Sequence, residues 1–179
     1  MYTAAERGHY EVVEVLLDAH GVDPSHACIS KAHDSVWTPI YAAANRGHHE
    51  VVEVLLAHDA DPNMACGSMV STRSGSTALE TAVDKGRIEV VRLLLLAGNV
   101  DPHHTTNRSE LTPLHVVARR GGPGDAAIVQ VLLEHGANPH QGSLTRRGTR
   151  SEKHTPLYYA TKEGHTAIIT MLRQEYVPI

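Results

Sequence analysis

The sequence predicts an all-α solenoid of about five stacked helix-turn-helix repeats with extended finger loops. Three observations carry that expectation. The first is internal repetition: Tyr2–Leu17 returns almost unchanged as Tyr41–Leu56, and three further copies start at Thr77, Thr112 and Thr155. The second is punctuation: each copy has a marker glycine, at Gly8, Gly47, Gly86, Gly121 and Gly164, followed by an apolar run spaced for a helix. The third is composition. Hydrophobic residues make up 41% of the 179, yet aromatics are only 4% and Phe is absent, so any core is built from Leu, Val, Ile and Ala.

Each unit can be justified in order. Thr38-Pro39, Thr112-Pro113 and Thr155-Pro156 read as an N-cap threonine with proline at the first helical position. The glycine about eight residues later reads as a left-handed stop. The second helix carries pairs such as Val51-Val52 and Leu55-Leu56. Asp23-Pro24, Asp61-Pro62, Asp101-Pro102 and Asn138-Pro139 then close the units. Neither short helix buries its apolar stripe alone, so neighbouring units must stack.

The Thr-Pro-Leu-His start, the Gly-His-x-Glu-Val-Val middle and the Leu-Leu-x-x-Gly-Ala-type end resemble the ankyrin repeat. The resemblance covers about residues 1–176 and implies helix pairs whose connecting turns project as fingers. It divides a single domain, 1–179, into repeats at about 1–23, 36–63, 75–102, 110–140 and 153–176. Three fingers, 24–37, 62–76 and 139–154, are longer than the family's usual length, and their polar Ser/Thr/Gly composition predicts partial mobility. Repeat 4 carries an insertion, Gly122–Asp125, with Asp125 expected to cap the second helix.

The two ends differ. Arg173 stands where Leu17, Leu56, Leu95 and Leu133 stand elsewhere, so repeat 5 reads as a polar cap. Repeat 1 has no such redesign. The expectation is therefore a fragment of a longer chain, or self-association through the uncapped N-terminal face.

Composition excludes several classes. The net charge of −4 argues against a uniformly basic nucleic-acid binder, and two cysteines cannot frame a small disulfide fold. No apolar run approaches the ~18 residues of a membrane span. Glu6, Arg7 and Glu11 interrupt the start where a secretion signal would lie. Together these point to an intracellular, cytoplasmic or nuclear, setting.

Chemistry-bearing residues have structural readings. His9, His48 and His165 fill the Gly-His slot, His115 the Thr-Pro-Leu-His slot, and His58 and His135 lie near helix C-termini. His103, His104 and His140 sit at finger tips without zinc-ligand framing, so no metal is assigned. Cys28 and Cys66 are in register but read as free thiols. A Cys28 nucleophile with His26 or His33 lacks anything to orient it. No phosphate loop, nucleophile elbow or paired carboxylates stand out, so no catalysis and no cofactor are expected.

The working surface is expected on the first helices and fingers, by the resemblance. Arg7, Arg46, Lys85 and Arg120 share the slot before the marker glycine and would form a basic stripe. Asn45, Asp84, Arg119 and Lys162 lie beside or within the equivalent slots. Trp37, Leu111 and His154 share the position before the capping threonine. Arg73, Arg108, Arg146, Arg147, Arg150 and Lys153 extend the positive face. The expected function is a non-catalytic protein-interaction module for a partner with an acidic segment. The alternatives are a targeting or regulatory segment of a larger enzyme or effector, and, more weakly, binding of nucleic acid or anionic lipid.

Overall fold

The computed structural model describes residues 1–30, 35–68, 75–105, 111–147 and 150–174. They form two compact units, Met1–Val100 and Asp101–Ile179. Ten helices are present among them, and the fold is all-α in its core.

In the first unit α1 (Tyr2–Arg7), α3 (Pro39–Arg46) and α5 (Ala78–Lys85) pack side by side as first helices. Their partners α2 (Tyr10–His20), α4 (His49–Ala57) and α6 (Ile88–Leu96) form the second row. In the second unit α7 (Pro113–Arg120) packs on α9 (Pro156–Glu163), and α8 (Asp125–Glu134) packs on α10 (Thr166–Gln174).

The predicted punctuation is present. Thr38 Oγ1 accepts the Tyr41 N–H at 3.3 Å, and Thr155 Oγ1 accepts that of Tyr158 at 3.4 Å. Thr77 forms a full capping box: its Oγ1 accepts the Glu80 N–H, and its own N–H reaches Glu80 Oε2, both at 3.2 Å. The marker glycines adopt φ from 58° to 88°. Gly8 has a second reason to be glycine: a Cβ there would lie 2.7 Å from the His48 ring. His48 Nε2 donates to the Glu6 carbonyl at 3.1 Å, and His165 Nε2 repeats this to the Arg119 carbonyl at 3.2 Å. The Gly-His slot is thus a stitch between successive repeats.

The cores are small and aliphatic. Ala42–Ala44 let the first helices approach, while Ile40, Val51, Leu55, Leu79 and Leu94 fill the first unit at 0–1% exposure. Leu114, Ile128, Leu132 and Leu172 do so in the second. Each buried Val, Leu or Ile contributes about 1.5–3 kcal/mol.

The fingers carry short strands that the sequence did not announce. β1 (Cys28–Ser30) and β2 (Ser35–Trp37) form an antiparallel hairpin, and β3 (Gly67–Ser68) adds to β2. Cys66 and Ser76 exchange backbone hydrogen bonds of 2.9 and 2.8 Å at the root of the next finger. β4 (Ser143–Arg147) pairs with β5 (Arg150–His154). Polar Ser/Thr composition concealed backbone pairing that needs no apolar face.

Asp125 also differs from its expected role. Gly124 is the N-cap of α8, and Asp125 is the first helical residue, 1% exposed. Its carboxylate accepts the Gly122 N–H at 2.6 Å and pairs with Arg120. The insertion places the carboxylate back over its own turn instead of onto the helix beyond. Among the described residues no helix is long and apolar enough to cross a membrane.

Candidate interaction surface

In the first unit two of the three cations before the marker glycines, Arg46 and Lys85, are surface groups held in ion pairs. Arg46 Nη2 lies 3.0 Å from Glu6 Oε1 of the preceding repeat, with side chains 56% and 35% exposed. Lys85 pairs with its neighbour Asp84 at 2.9 Å. Arg7 is exposed and Asn45 half-buried. The cations share their surface with acids, so the face is mixed in sign rather than a continuous positive stripe.

Trp37 ends β2, opposite Cys28, and leads straight into the Thr38 cap. Its ring meets that of Tyr41 at a centroid distance of 5.1 Å and a 48° tilt. Tyr2 of α1 joins this neighbourhood. Burial, followed by the Glu6 carboxylate, raises its phenol above the usual range, with Cys28, Arg46 and Tyr41 also close enough to act on it.

The second unit repeats the arrangement. His154 ends β5, and its ring stacks on Tyr158 at 3.8 Å and 10°. Tyr158 is 42% exposed. Tyr159, 7% exposed, meets both rings edge-on. Arg119 and Lys162 are exposed. One expected contact is corrected here. Leu111 is 4% exposed and belongs to the core. Arg120 pairs with the buried Asp125 carboxylate through Nε at 2.9 Å and through Nη2, with its own side chain 26% exposed.

Sequence reading singled out Trp37 and His154 but missed their partners. The positions just before and three after the capping threonine hold Trp37 with Tyr41, Ser76 with Glu80, Leu111 with His115, and His154 with Tyr158. Comparing the two slots across repeats shows aromatic pairs in the second and fifth copies alone. Tyr41 and Tyr158 were legible only through that pairing.

The remaining histidines and thiols are mostly occupied. His115 is fully buried. Its Nδ1 accepts from the Thr112 N–H at 3.2 Å, so Nε2 carries the hydrogen and donates to the His154 carbonyl at 3.0 Å. Burial lowers its pKa. His58 and His135 each place Nδ1 on the carbonyl four residues back, at 2.9 and 2.8 Å. The backbone N–H groups of His103 and His140 close turns onto Asp101 and Asn138, as that of Asn63 does onto Asp61. Among the described residues no group of three or more His, Cys, Asp or Glu side chains is placed to hold a metal ion.

Both cysteines are free. Cys66 is 1% exposed, its sulfur accepts from the Thr38 N–H at 3.4 Å, and burial pushes its thiol up. Arg73, Arg108 and His33 lie outside the described residues. The backbone places Arg146 and Arg147 on β4 and Arg150 and Lys153 on β5.

Comparison with known proteins agrees with the repeat geometry. The family model described as "Ankyrin repeats (3 copies)" matches residues 1–106 and 94–178. The ankyrin repeat protein YahD of Escherichia coli (strain K12) is 36% identical over 115 residues, 63% of this chain and 51% of the relative. The ankyrin repeat-containing protein ITN1 of Arabidopsis thaliana is 45% identical over 67 residues, 37% of this chain and 11% of the relative. Cyclin-dependent kinase 4 inhibitor B of Bos taurus is 33% identical over 109 residues, 59% of this chain and 72% of the relative. The chain spans about half the length of YahD and a small part of ITN1. Ankyrin repeats are in general protein-binding modules, and this chain belongs to the ankyrin repeat family.

Proposed function

We propose that the chain is a non-catalytic module that binds another protein through its first helices and hairpin roots. The observation that carries this reading is the recurrence, in one register, of Trp37 on Tyr41 and His154 on Tyr158. Each pair stands where a hairpin finger meets a first helix. Rigid aromatic side chains present large contact area at small entropic cost, which is why they dominate interface energetics. Arg7, Arg46, Lys85, Arg119 and Lys162, towards the C-terminal ends of the first helices, are exposed cations suited to an acidic segment of the partner. The Arg46–Glu6 and Lys85–Asp84 pairs are no obstacle. Exposed ion pairs contribute only ~0–1 kcal/mol, so a partner's carboxylate can replace the internal one.

A relative named as an inhibitor of cyclin-dependent kinase 4 supports action by occupying another protein. A second reading, a targeting segment within a longer protein, is favoured by the small share of ITN1 that the match covers.

The test is affinity capture with quantitative mass spectrometry, using wild type, Trp37→Ala/Tyr41→Ala, His154→Ala/Tyr158→Ala, and Arg46→Glu/Lys85→Glu. Circular dichroism checks that each variant is folded. Loss of a specific captured protein in the aromatic variants, and its weakening in the charge reversal, supports the proposal. Undiminished capture by all three variants sinks it.

A further inference from the structure

The last finger differs in charge from the other three. Residues 24–37, 62–76 and 102–111 hold one Lys or Arg apiece: Lys31, Arg73 and Arg108. Residues 143–154 hold four, Arg146, Arg147, Arg150 and Lys153, against one acid, Glu152, in a chain of net charge −4. This finger also has the longest strands: β4 and β5 have five residues each, β1 and β2 three, and β3 two. The register places the charges. Arg147 is paired with Arg150, Arg146 with Ser151, and Lys153 with Leu144. Pleating puts Arg146 and Lys153 on one face, which has no acid at any position, and Arg147 and Arg150 on the other, with Glu152. At ~3.3 Å per residue, the Arg147–Arg150 pair stands about 13 Å along the ladder from the Ser143–His154 pair.

The helices next to this hairpin bring few acids to it. α9, packed on β5, has none before its last residue, Glu163. α7, which reaches the hairpin through the His115–His154 hydrogen bond, has none at all. The first-helix cations stand otherwise: Arg46, Lys85 and Arg120 pair with Glu6, Asp84 and Asp125. We infer that the β4–β5 hairpin holds an extended Asp/Glu-rich segment of the partner protein along its strands. This rests on the protein-binding reading above and names the element that recognises the partner's acidic segment. Three of the four cations are arginine, whose planar fork matches a carboxylate bidentately. Four cations fall short of the roughly 6–10 phosphate contacts of proteins that hold duplex DNA. The acidic balance of the whole chain also works against a long polyanion or an anionic bilayer. The hairpin runs directly into His154, stacked on Tyr158, so a segment lying along it leads onto an aromatic anchor.

The probe is a fluorescein-labelled peptide of about twelve residues alternating Glu and Thr, and its twin carries Lys in place of Glu. Fluorescence anisotropy at low ionic strength compares four proteins: wild type, Arg146→Thr/Arg147→Thr/Arg150→Thr/Lys153→Thr, Arg146→Lys/Arg147→Lys/Arg150→Lys, and Arg46→Thr/Lys85→Thr. Threonine keeps strand propensity, the Lys variant keeps the charge, and circular dichroism reports any loss of fold. The Glu peptide binds wild type, and the quadruple Thr variant weakens it about tenfold or more. The Lys variant and the Arg46/Lys85 variant each stay within about threefold of wild type. The Lys twin binds at least about tenfold more weakly than the Glu peptide. The inference is overturned if the Glu peptide does not bind wild type, if the quadruple variant binds it as wild type does, or if the Lys twin binds alike. A loss in the Lys variant or the Arg46/Lys85 variant as large as in the quadruple variant also overturns it. So does a single-stranded RNA or a phosphatidylserine vesicle that wild type binds more tightly than the Glu peptide and the quadruple variant releases. Capture of the natural partner separates the two readings. Undiminished capture by the aromatic variants with intact peptide binding sinks the anchors alone. Capture lost in those variants, with peptide binding untouched by the quadruple variant, sinks the hairpin alone.

Discussion

His58 and Asp18 join two successive repeats of the first unit, with the imidazole Nε2 2.9 Å from the carboxylate Oδ1. The other ring nitrogen faces the Val54 carbonyl at 2.9 Å. Both nitrogens face acceptors, so the arrangement is complete only for the doubly protonated ring. The Asp18 hydrogen bond, then that to Val54, raise the His58 pKa. A folded-state pKa above the unfolded value of about 6.5 gives stability fully present below that value and lost as pH rises through the folded one. Thermal melts of wild type and Asp18→Asn should therefore differ most in mild acid and converge at alkaline pH. An NMR titration should place the His58 midpoint above that of a free histidine. A gap that widens with rising pH would refute the assignment.

His115 has the opposite sign. It is buried with Nε2–H donating to the His154 carbonyl, and burial lowers its pKa. The unfolded chain takes up this proton more readily than the folded one. Stability present above about pH 6.5 is therefore lost as pH falls from there through the depressed value. The two act in adjoining windows, His58 above about pH 6.5 and His115 below it. Urea titrations of His58→Ala should lack the gain in stability that wild type shows as pH falls towards about 6.5, and below that should match the wild-type acid loss. Those of His115→Gln should show a shallower one, at lower absolute stability.

Arg120 and Asp125 form an unequal pair: the arginine side chain is 26% exposed and the carboxylate 1%. Removing the arginine leaves a buried carboxylate whose remaining partners include the Gly122 N–H. Removing the carboxylate leaves a guanidinium that can swing to water. Arg120→Ala should cost about 3 kcal/mol or more, near the value for breaking a buried pair, and Asp125→Ala less. Chemical denaturation of both variants checks the order, and equal losses would show that Asp125 is less confined than its burial implies.

Most of the helical scaffold was legible in the sequence because its signals are local. Thr38, Thr77 and Thr155 cap through their own side chains, and Gly8, Gly47 and Gly86 stop helices through their own dihedrals. The surface was less legible because it depends on pairs from different segments. Arg46 reads as a free cation until Glu6, forty residues earlier, is placed 3.0 Å away. Trp37 was visible as a lone aromatic, but Tyr41 reads as an ordinary helix residue until the ring contact is seen. The hairpins stayed hidden because pairing such as Ser35 with Ser68 runs through the backbone and leaves no periodic apolar mark.

The left-handed residue that follows α2, α4, α6 and α8 offers a prediction of both signs. Gly136 and Asp59 occupy the same slot after α8 and α4, at φ 84° and 61°. Nothing lies within 4 Å of a Cβ at Gly136, so Gly136→Ala should cost only the backbone strain, about 1 kcal/mol. Asp59 is exposed, and glycine relieves the same strain, so Asp59→Gly should stabilise by about 0.5–1 kcal/mol. Gly121 combines φ 58° with the His165 ring lying directly over it. Gly121→Ala should therefore exceed Gly136→Ala, and His165→Ala in the same chain should recover the steric part while leaving the backbone part. Denaturant titrations of the four variants measure this order. A Gly121→Ala cost no larger than that of Gly136→Ala would show that the ring gives way freely and that the Gly-His stitch does not constrain the glycine.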